Sequence, residues 1–183
     1  MRNLVIAKRY AKALFNLALE SGQVDQYGQE LDDFARLLQE LPELADGIQN
    51  PLYPEATRKS LFYSVADRVG MAPIMKSFMN LLVEKKRVEH LASIAEYFHK
   101  LIDEHANIAR ALVSAPKKLD AKVVEEIAQT LEKMTGKKIV IEFKEDPALI
   151  GGVVAQIGDL VLDGSVRRQL LGFKETLKRG AIG

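Results

Sequence analysis

Histidine is the side chain here best suited to acid–base or metal chemistry, and it occurs three times, at His90, His99 and His105. All three fall in or beside one stretch of helical periodicity. Their separations of nine and six residues do not give the i, i+4 pair through which a helix shares a metal ion. Cysteine is absent, which removes disulfides, thiolate nucleophiles and thiolate ligands. Phosphate chemistry would need a glycine-rich cradle. The glycine-bearing segments, Gly151-Gly152 and Asp163-Gly164-Ser165, match neither the P-loop nor the dinucleotide pattern. Asp163 would also repel a phosphate at the helix start that follows it. That segment reads instead as a turn permitted by Gly164 and a helix capped by Ser165.

Acidic pairs such as Asp32-Asp33 and Glu125-Glu126 lie in helical stretches crowded with other charges. Neighbouring helix positions do not face each other, so these read as solvated faces and not as catalytic dyads. Lys85-Lys86-Arg87, Lys117-Lys118 and Lys137-Lys138 could touch RNA or lipid headgroups, yet no aromatic platform is interleaved with them. With 26 basic against 25 acidic side chains, the chain as a whole has no general attraction for polyanions. The expectation is therefore no catalytic residue, no metal and no cofactor. One alternative stays open: a regulatory RNA- or nucleotide-binding protein that uses the basic second half.

The elements that would position any site come from periodicity. Apolar residues make up 48% of the 183 residues, enough to build a core. From Leu4 to Ala18 they recur at Ala7, Tyr10, Ala11, Leu14, Phe15 and Ala18, on one helical face, and Ser21-Gly22 ends the run. A second helix carries Val24, Tyr27, Leu31, Phe34, Leu38 and Leu41, with acidic residues on its wet face. Pro42 opens a short third helix that Asn50-Pro51 closes. Leu61, Phe62, Val65 and Val69 mark a fourth. Pro73 starts a fifth with Phe78, Leu81 and Leu82, and Leu91, Ile94, Ala95, Phe98, Leu101 and Ile102 make a sixth. Six amphipathic helices with short connections predict an antiparallel bundle. No apolar run reaches the roughly 18 residues of a membrane span, and the first residues are read as lacking a targeting peptide.

Near residue 107 the period changes. Ile108–Ala115 alternates as a strand and Pro116 stops it. Asp120 is placed to cap a helix with Val124, Ile127, Ala128, Leu131 and Met134 on its apolar face, and Gly136 to end it. Ile139, Ile141 and Phe143 define a half-buried strand. Gly151–Ile157 and Leu160–Leu162 define two more, joined at Gly158-Asp159 by either a hairpin turn or a bulge. A last helix carries Val166, Leu170, Phe173 and Leu177. The fold class is thus mainly α with a second α/β part: residues 1–107 helical, residues 108–183 β-α-β-β-β-α. Residues 1–107 hold 13 basic and 15 acidic side chains, residues 108–183 hold 13 and 10, so the two modules differ in charge sign as well as class.

Two stretches carry a resemblance. The run from Ala7 through Lys8-Arg9-Tyr10-Ala11-Lys12-Ala13-Leu14-Phe15 to Ala18 resembles the opening helix of the delta subunits of F-type ATP synthases and of their mitochondrial counterpart, the oligomycin-sensitivity-conferring protein. The run Asp146-Pro147-Ala148-Leu149-Ile150-Gly151-Gly152-Val153 through Gly158-Asp159 to Asp163-Gly164-Ser165-Val166 is similar to that family's C-terminal signature.

The resemblance implies a non-catalytic subunit of the peripheral stalk, or stator, that couples ion flow to ATP synthesis by stopping the catalytic head from turning with the rotor. It implies two kinds of partner. The first is the N-terminal helices of alpha subunits, bound in a groove between the first and fifth helices, which here maps to Tyr10, Ala13, Leu14, Leu17, Phe78, Leu82 and Lys85. The second is the b subunits, met by the second module. There Val166, Leu170 and Phe173 are expected in the core, with Arg167, Arg168 and Lys174 as exposed contacts. It further implies a bacterial protein on the cytoplasmic face of the cell membrane, held there only through the complex.

Overall fold

The computed structural model describes residues 4–168 and residue 170. The chain divides between Ile102 and Asp103 into two compact units.

In the first unit the helices are α1 (Leu4–Ser21), α2 (Val24–Glu40), α3 (Pro42–Gln49), α4 (Glu55–Arg68), α5 (Pro73–Glu84) and α6 (Leu91–His105), with a 3-10 turn at Val88–His90 before α6. α1 and α2 bury the face their spacing dictates, except that Leu41, expected on the face of α2, lies past its end and is exposed, as Val69 is past the end of α4. On α1 the buried residues are Ala7, Ala11, Leu14, Phe15 and Ala18, where three alanines let neighbouring backbones come close. On α2 they are Tyr27, Gly28, Leu31, Phe34 and Leu38. Gly28 sits 3.4–3.6 Å, at its missing Cβ, from His99, Ile102 and Phe98 of α6. Edge-on aromatic pairs fill the centre: Phe15 with Phe98 at 5.7 Å and Phe34 with Phe62 at 5.8 Å, a favoured ring geometry. Tyr27 is wholly buried. Its hydroxyl donates to Gln23 Oε1 at 2.9 Å and accepts from Ser21 Oγ at 3.3 Å, so its polar tip is satisfied.

Three helices of this unit end in the same motif. After α1, Gly22 N–H bonds Leu19 O and Gln23 N–H bonds Ala18 O. After α4, Gly70 and Met71 bond Asp67 and Ala66 in the same way. After α5, Lys86 and Arg87 bond Val83 and Leu82. The motif needs a left-handed residue at its turning point. Gly22 and Gly70 supply it at φ +67, but after α5 the residue is Lys86, at φ +55. The fourth helix starts at Glu55, a turn and a half before its first apolar marker, because its opening turn, Glu55-Ala56-Thr57-Arg58, holds no large apolar residue; the side chain it buries is Arg58.

In the second unit, strands β1 (Ile108–Ala115), β2 (Lys138–Glu145), β3 (Val154–Ile157) and β4 (Leu160–Asp163) form one sheet in the order β2-β1-β3-β4. The β1–β2 pair is parallel, Ile108 opposite Lys138, and helix α7 (Ala121–Thr135) makes the crossover that a parallel pair requires. The other two pairs are antiparallel. Leu131 of α7 packs with Ala111, Val113, Ile139 and Ala155 in a small core. Asp120 stands at the start of α7 without a side-chain capping bond, and Gly136 ends it at φ +67. The Gly158-Asp159 segment is a two-residue hairpin turn, since Ile157 pairs with Leu160. Only Gly158, at φ +56, is left-handed there, the sign pattern of a type II′ turn.

Candidate functional site

On α1 the residues Tyr10, Ala13 and Leu17 are spaced three and four apart, which puts them along one side of the helix. Ala13 is exposed and Leu17 is 43% exposed, whereas Tyr10 is half-buried. The Tyr10 ring meets Phe78 of α5 edge-on, 6.3 Å between centroids at 72°. This contact marks the seam between the two helices. Along α5, positions 74, 78, 81 and 85 share a face. Ile74 and Leu81 are exposed, at 37% and 39%, and Lys85 lies exposed at the helix end. The seam is therefore a hydrophobic surface with a cation at one end.

Of the seven residues expected to line this seam, Leu14 and Leu82 have no exposed surface at all. They are core, because each points inward from the same stripe whose outer edge carries its neighbours. Phe78 presents only an edge, being 7% exposed. Ile74 and Leu81 were missed as surface. Their signal was present, since each lies four or three residues from Phe78 while the inward face was already filled by Met75, Met79 and Leu82.

In the second unit the glycine-rich signature is a structural clasp. Gly152 is left-handed at φ +83, and a Cβ there would lie 2.3 Å from Gly164 O and 2.8 Å from Ser165 Cα. Two backbone bonds close the clasp: Gly164 N–H to Val153 O at 2.9 Å and Val166 N–H to Gly151 O at 3.0 Å. Gly164 itself is not left-handed. It is needed for close approach, since a Cβ would stand 3.2 Å from Val153 O. Ser165 is buried, and its Oγ accepts the Arg168 N–H at 3.3 Å, a helix N-cap. Asp163 accepts the Ser165 N–H at 2.9 Å. The Ser165 hydroxyl first, then its backbone N–H, hold the Asp163 carboxyl below its ordinary range, with the Arg168 charge adding to them.

Arg167 and Arg168 are exposed on the helical turn that begins at Val166, while Lys174 and Phe173 lie outside the described residues. Val166 and Leu170, expected in the core, are exposed, at 37% and 59%. The buried anchor of that turn is Ser165, one residue earlier, which carries Val166 outward. Among the described residues no group of three or more histidine, aspartate and glutamate side chains is assembled to hold a metal. His99 instead joins Asp32 at 2.7 Å, bridging α6 and α2. Among the described residues no helix is long and apolar enough to cross a membrane.

What these residues offer is apolar surface on the first unit and basic surface on the second. The family model for the ATP synthase delta (OSCP) subunit matches residues 6–177. The chain is 68% identical over its full length, and the full length of the relative, to the ATP synthase subunit delta of Syntrophobacter fumaroxidans. It is 45% identical to that of Desulfatibacillum aliphaticivorans, covering 98% of both. Its fold is similar to a chain of the Toxoplasma gondii mitochondrial ATP synthase hexamer, with a TM-score of 0.62, 23% identity, and coverage of 93% of this chain and 96% of that one. The chain belongs to the ATP synthase delta (OSCP) subunit family. It is a non-catalytic, peripheral-stalk component of the ATP synthase complex, which leaves the RNA- or nucleotide-binding alternative without support.

Proposed function

We propose that the first unit, acting as an antiparallel bundle of its six helices, holds the N-terminal helices of alpha subunits along the α1–α5 seam, and that the second unit joins the b subunits. On this reading residues 1–107 face the catalytic head. Residues 108–183 face the stalk running to the membrane, and the protein works on the cytoplasmic face of a bacterial cell membrane without entering the bilayer. Resisting the drag of the rotor lets ion flow drive ATP synthesis in the head.

The observation that carries the first half is the stripe of half-buried Tyr10 and exposed Ala13, Leu17, Ile74 and Leu81 beside the Tyr10–Phe78 contact. An amphipathic helix would bury its apolar face on it. Ala13 allows close approach, Tyr10 offers ring area with a hydroxyl, as interface hot spots often do, and Lys85 suits an acidic group at one end of the incoming helix. For the second half the candidates are Arg167, Arg168 and Lys174.

The test is isothermal titration of the full chain with a peptide from the alpha-subunit N-terminus of the same organism. One-to-one binding that survives high salt supports the seam, because a largely apolar contact is little screened. A folded chain that binds no such peptide removes it.

A further inference from the structure

β2 is an end strand of its sheet, hydrogen-bonded to β1 alone. Lys138 N–H bonds Asn107 O at 3.0 Å and Asp146 N–H bonds Ala115 O at 2.9 Å, both on the β1 side. Backbone groups alternate sides along a strand, so those of Val140, Glu142 and Lys144 also turn toward β1. The N–H and C=O groups of Ile139, Ile141, Phe143 and Glu145 then aim at the free edge. The Ile139 N–H shows that direction, since Glu132 Oε1 of α7 accepts it at 3.1 Å. Pro147, past the end of the strand, has no N–H to offer. Among the described residues the edge is thus left uncapped from Ile141 to Glu145. Glu142, Phe143, Lys144 and Glu145 are all exposed, Phe143 at 37%. Such an edge is a template for a further strand.

The order of side chains along it selects the strand that fits. Ile139 and Ile141 pack into the core with Leu131 of α7, so Phe143 shares their face of the sheet while Glu142 and Lys144 share the opposite one. An antiparallel copy of the same segment, centred so that the two Phe143 residues meet, sets Glu142 of each copy across from Lys144 of the other. Ile141 and Glu145 then exchange their outward N–H and C=O groups, as the two Phe143 residues do. Centring the pair one residue earlier puts Glu142 opposite Glu142. Centring it one later puts Lys144 opposite Lys144 and Glu142 opposite Asp146. Like charges directly opposite are destabilising, so the Phe143-centred register is favoured over both of its neighbours.

We propose that two copies of the free chain, outside the ATP synthase complex, pair antiparallel through β2 about Phe143. The two rings take apolar area out of water, and the Glu142–Lys144 pairs fix the register. Glu132 does not obstruct the pairing, because it caps the edge at Ile139, outside the uncapped stretch. A strand this short buries less than the roughly 1,000 Å2 of a persistent interface. The pairing is therefore reversible, with a Kd of about 0.1–1 mM, and covers an edge that would otherwise recruit other extended chains. It does not depend on the reading of the α1–α5 seam.

The experiment is a dilution series of the full chain from about 2 mM to about 20 μM, followed by sedimentation velocity for mass and by NMR hydrogen exchange for place. Mass should rise with concentration, and the Ile141, Phe143 and Glu145 amides should gain protection with it. The amides of Val140, Glu142 and Lys144, already bonded to β1, should not. A monomeric mass throughout overturns the proposal. So does self-association whose newly protected amides lie on β4, at the other edge of the sheet, or in the first unit.

Charge reversal tests the register. Glu142→Lys and Lys144→Glu each set like charges across the pairing and should each weaken self-association about fivefold or more. Both change exposed side chains, and β1 amide protection checks that the sheet is intact. Mixed one to one, the two variants carry opposite charges at both facing positions and should pair with each other about as tightly as the parent chain pairs with itself. A mixture that associates no better than either variant alone refutes the register.

Discussion

Replacing Gly152 by alanine puts the clasp of the second unit to a quantitative test. The new Cβ would stand 2.3 Å from Gly164 O and 2.8 Å from Ser165 Cα, both backbone atoms that cannot rotate away. Ordinary carbon–oxygen approach is about 3.3 Å or more, so the Gly164–Ser165 backbone must retreat by roughly 1 Å. That retreat weakens the Gly164–Val153 and Val166–Gly151 hydrogen bonds, each contributing about 0.5–1.5 kcal/mol. The left-handed φ of +83 adds about 1 kcal/mol or more for a residue with a Cβ. The sum is about 3 kcal/mol.

Gly136→Ala is the matched control, because Gly136 is left-handed at φ +67 but has no atom within 4 Å of the added Cβ. It should cost only about 1 kcal/mol. Hydrogen exchange of the β1 amides, followed by NMR, reads the difference. Protection should fall about fivefold for Gly136→Ala and more than a hundredfold for Gly152→Ala. Amides of α2 should keep their protection in both, as should the near-ultraviolet signal of the five tyrosines, all of which precede residue 98. If the two variants lose protection to the same extent, the clash drawn from the backbone is wrong.

Other outcomes follow from the same reading. Gly28→Ala should stabilise the first unit by about 0.5–1 kcal/mol in urea unfolding, because the methyl enters ordinary contact with α6 while the helix loses a flexible residue. Lys86→Gly should also stabilise it, by about 1 kcal/mol, measured in the same way, by relieving the left-handed strain at the end of α5. Leu17→Asp, at an exposed position, should leave the melting temperature within about 2 °C and weaken alpha-peptide binding about tenfold or more in calorimetry. Tyr10→Asp should weaken binding in the same titration while the helices stay folded by circular dichroism. If it unfolds them, Tyr10 is core and the seam is misplaced. Asp163 has its folded pKa lowered by Ser165, so what it contributes to stability is present above its unfolded pKa and lost as pH falls through the folded one. β1 amide protection should therefore decline below about pH 4, and Asp163→Asn should remove that part of the decline.

The sequence carried the elements well and the pairings poorly, for reasons visible residue by residue. Helices α1, α2, α5 and α6 announce themselves because their buried residues recur every three or four positions, and Gly22, Gly70 and Gly136 stop chains where a left-handed residue is needed. The parallel pairing of Ile108 with Lys138 leaves no local trace, since register is set by contacts made across a whole crossover. Within an amphipathic stripe, leucines that close the core and leucines that rim it look alike. Leu14 and Leu17 differ only in a rotation of the helix that neighbouring elements decide. Arg58 was invisible because it sits beside Lys59 in a polar run, and only the packing of α4 on α5 turns one inward and leaves the other at the rim. The C-terminal signature was legible as a family mark, yet its reason, backbone passing within contact of backbone at Gly152 and Gly164, needed coordinates.

The strand order of the second unit bears on how the chain emerges from the ribosome. β1 lies between β2 and β3, so the first strand to be made is the one that needs partners on both sides. Its end at Ala115 is synthesised 42 residues before the end of β3 at Ile157, an interval of roughly 2–8 s at 5–20 residues per second. The helical unit also waits, since Phe15 of α1 meets Phe98 of α6 much later in the chain, but a helix bonds its own backbone and leaves no open edge meanwhile. A nascent chain stalled after Glu145 would thus carry a finished helical half beside a β1 edge still open to any other extended strand. The quality-control burden of this protein falls on its last 40 residues.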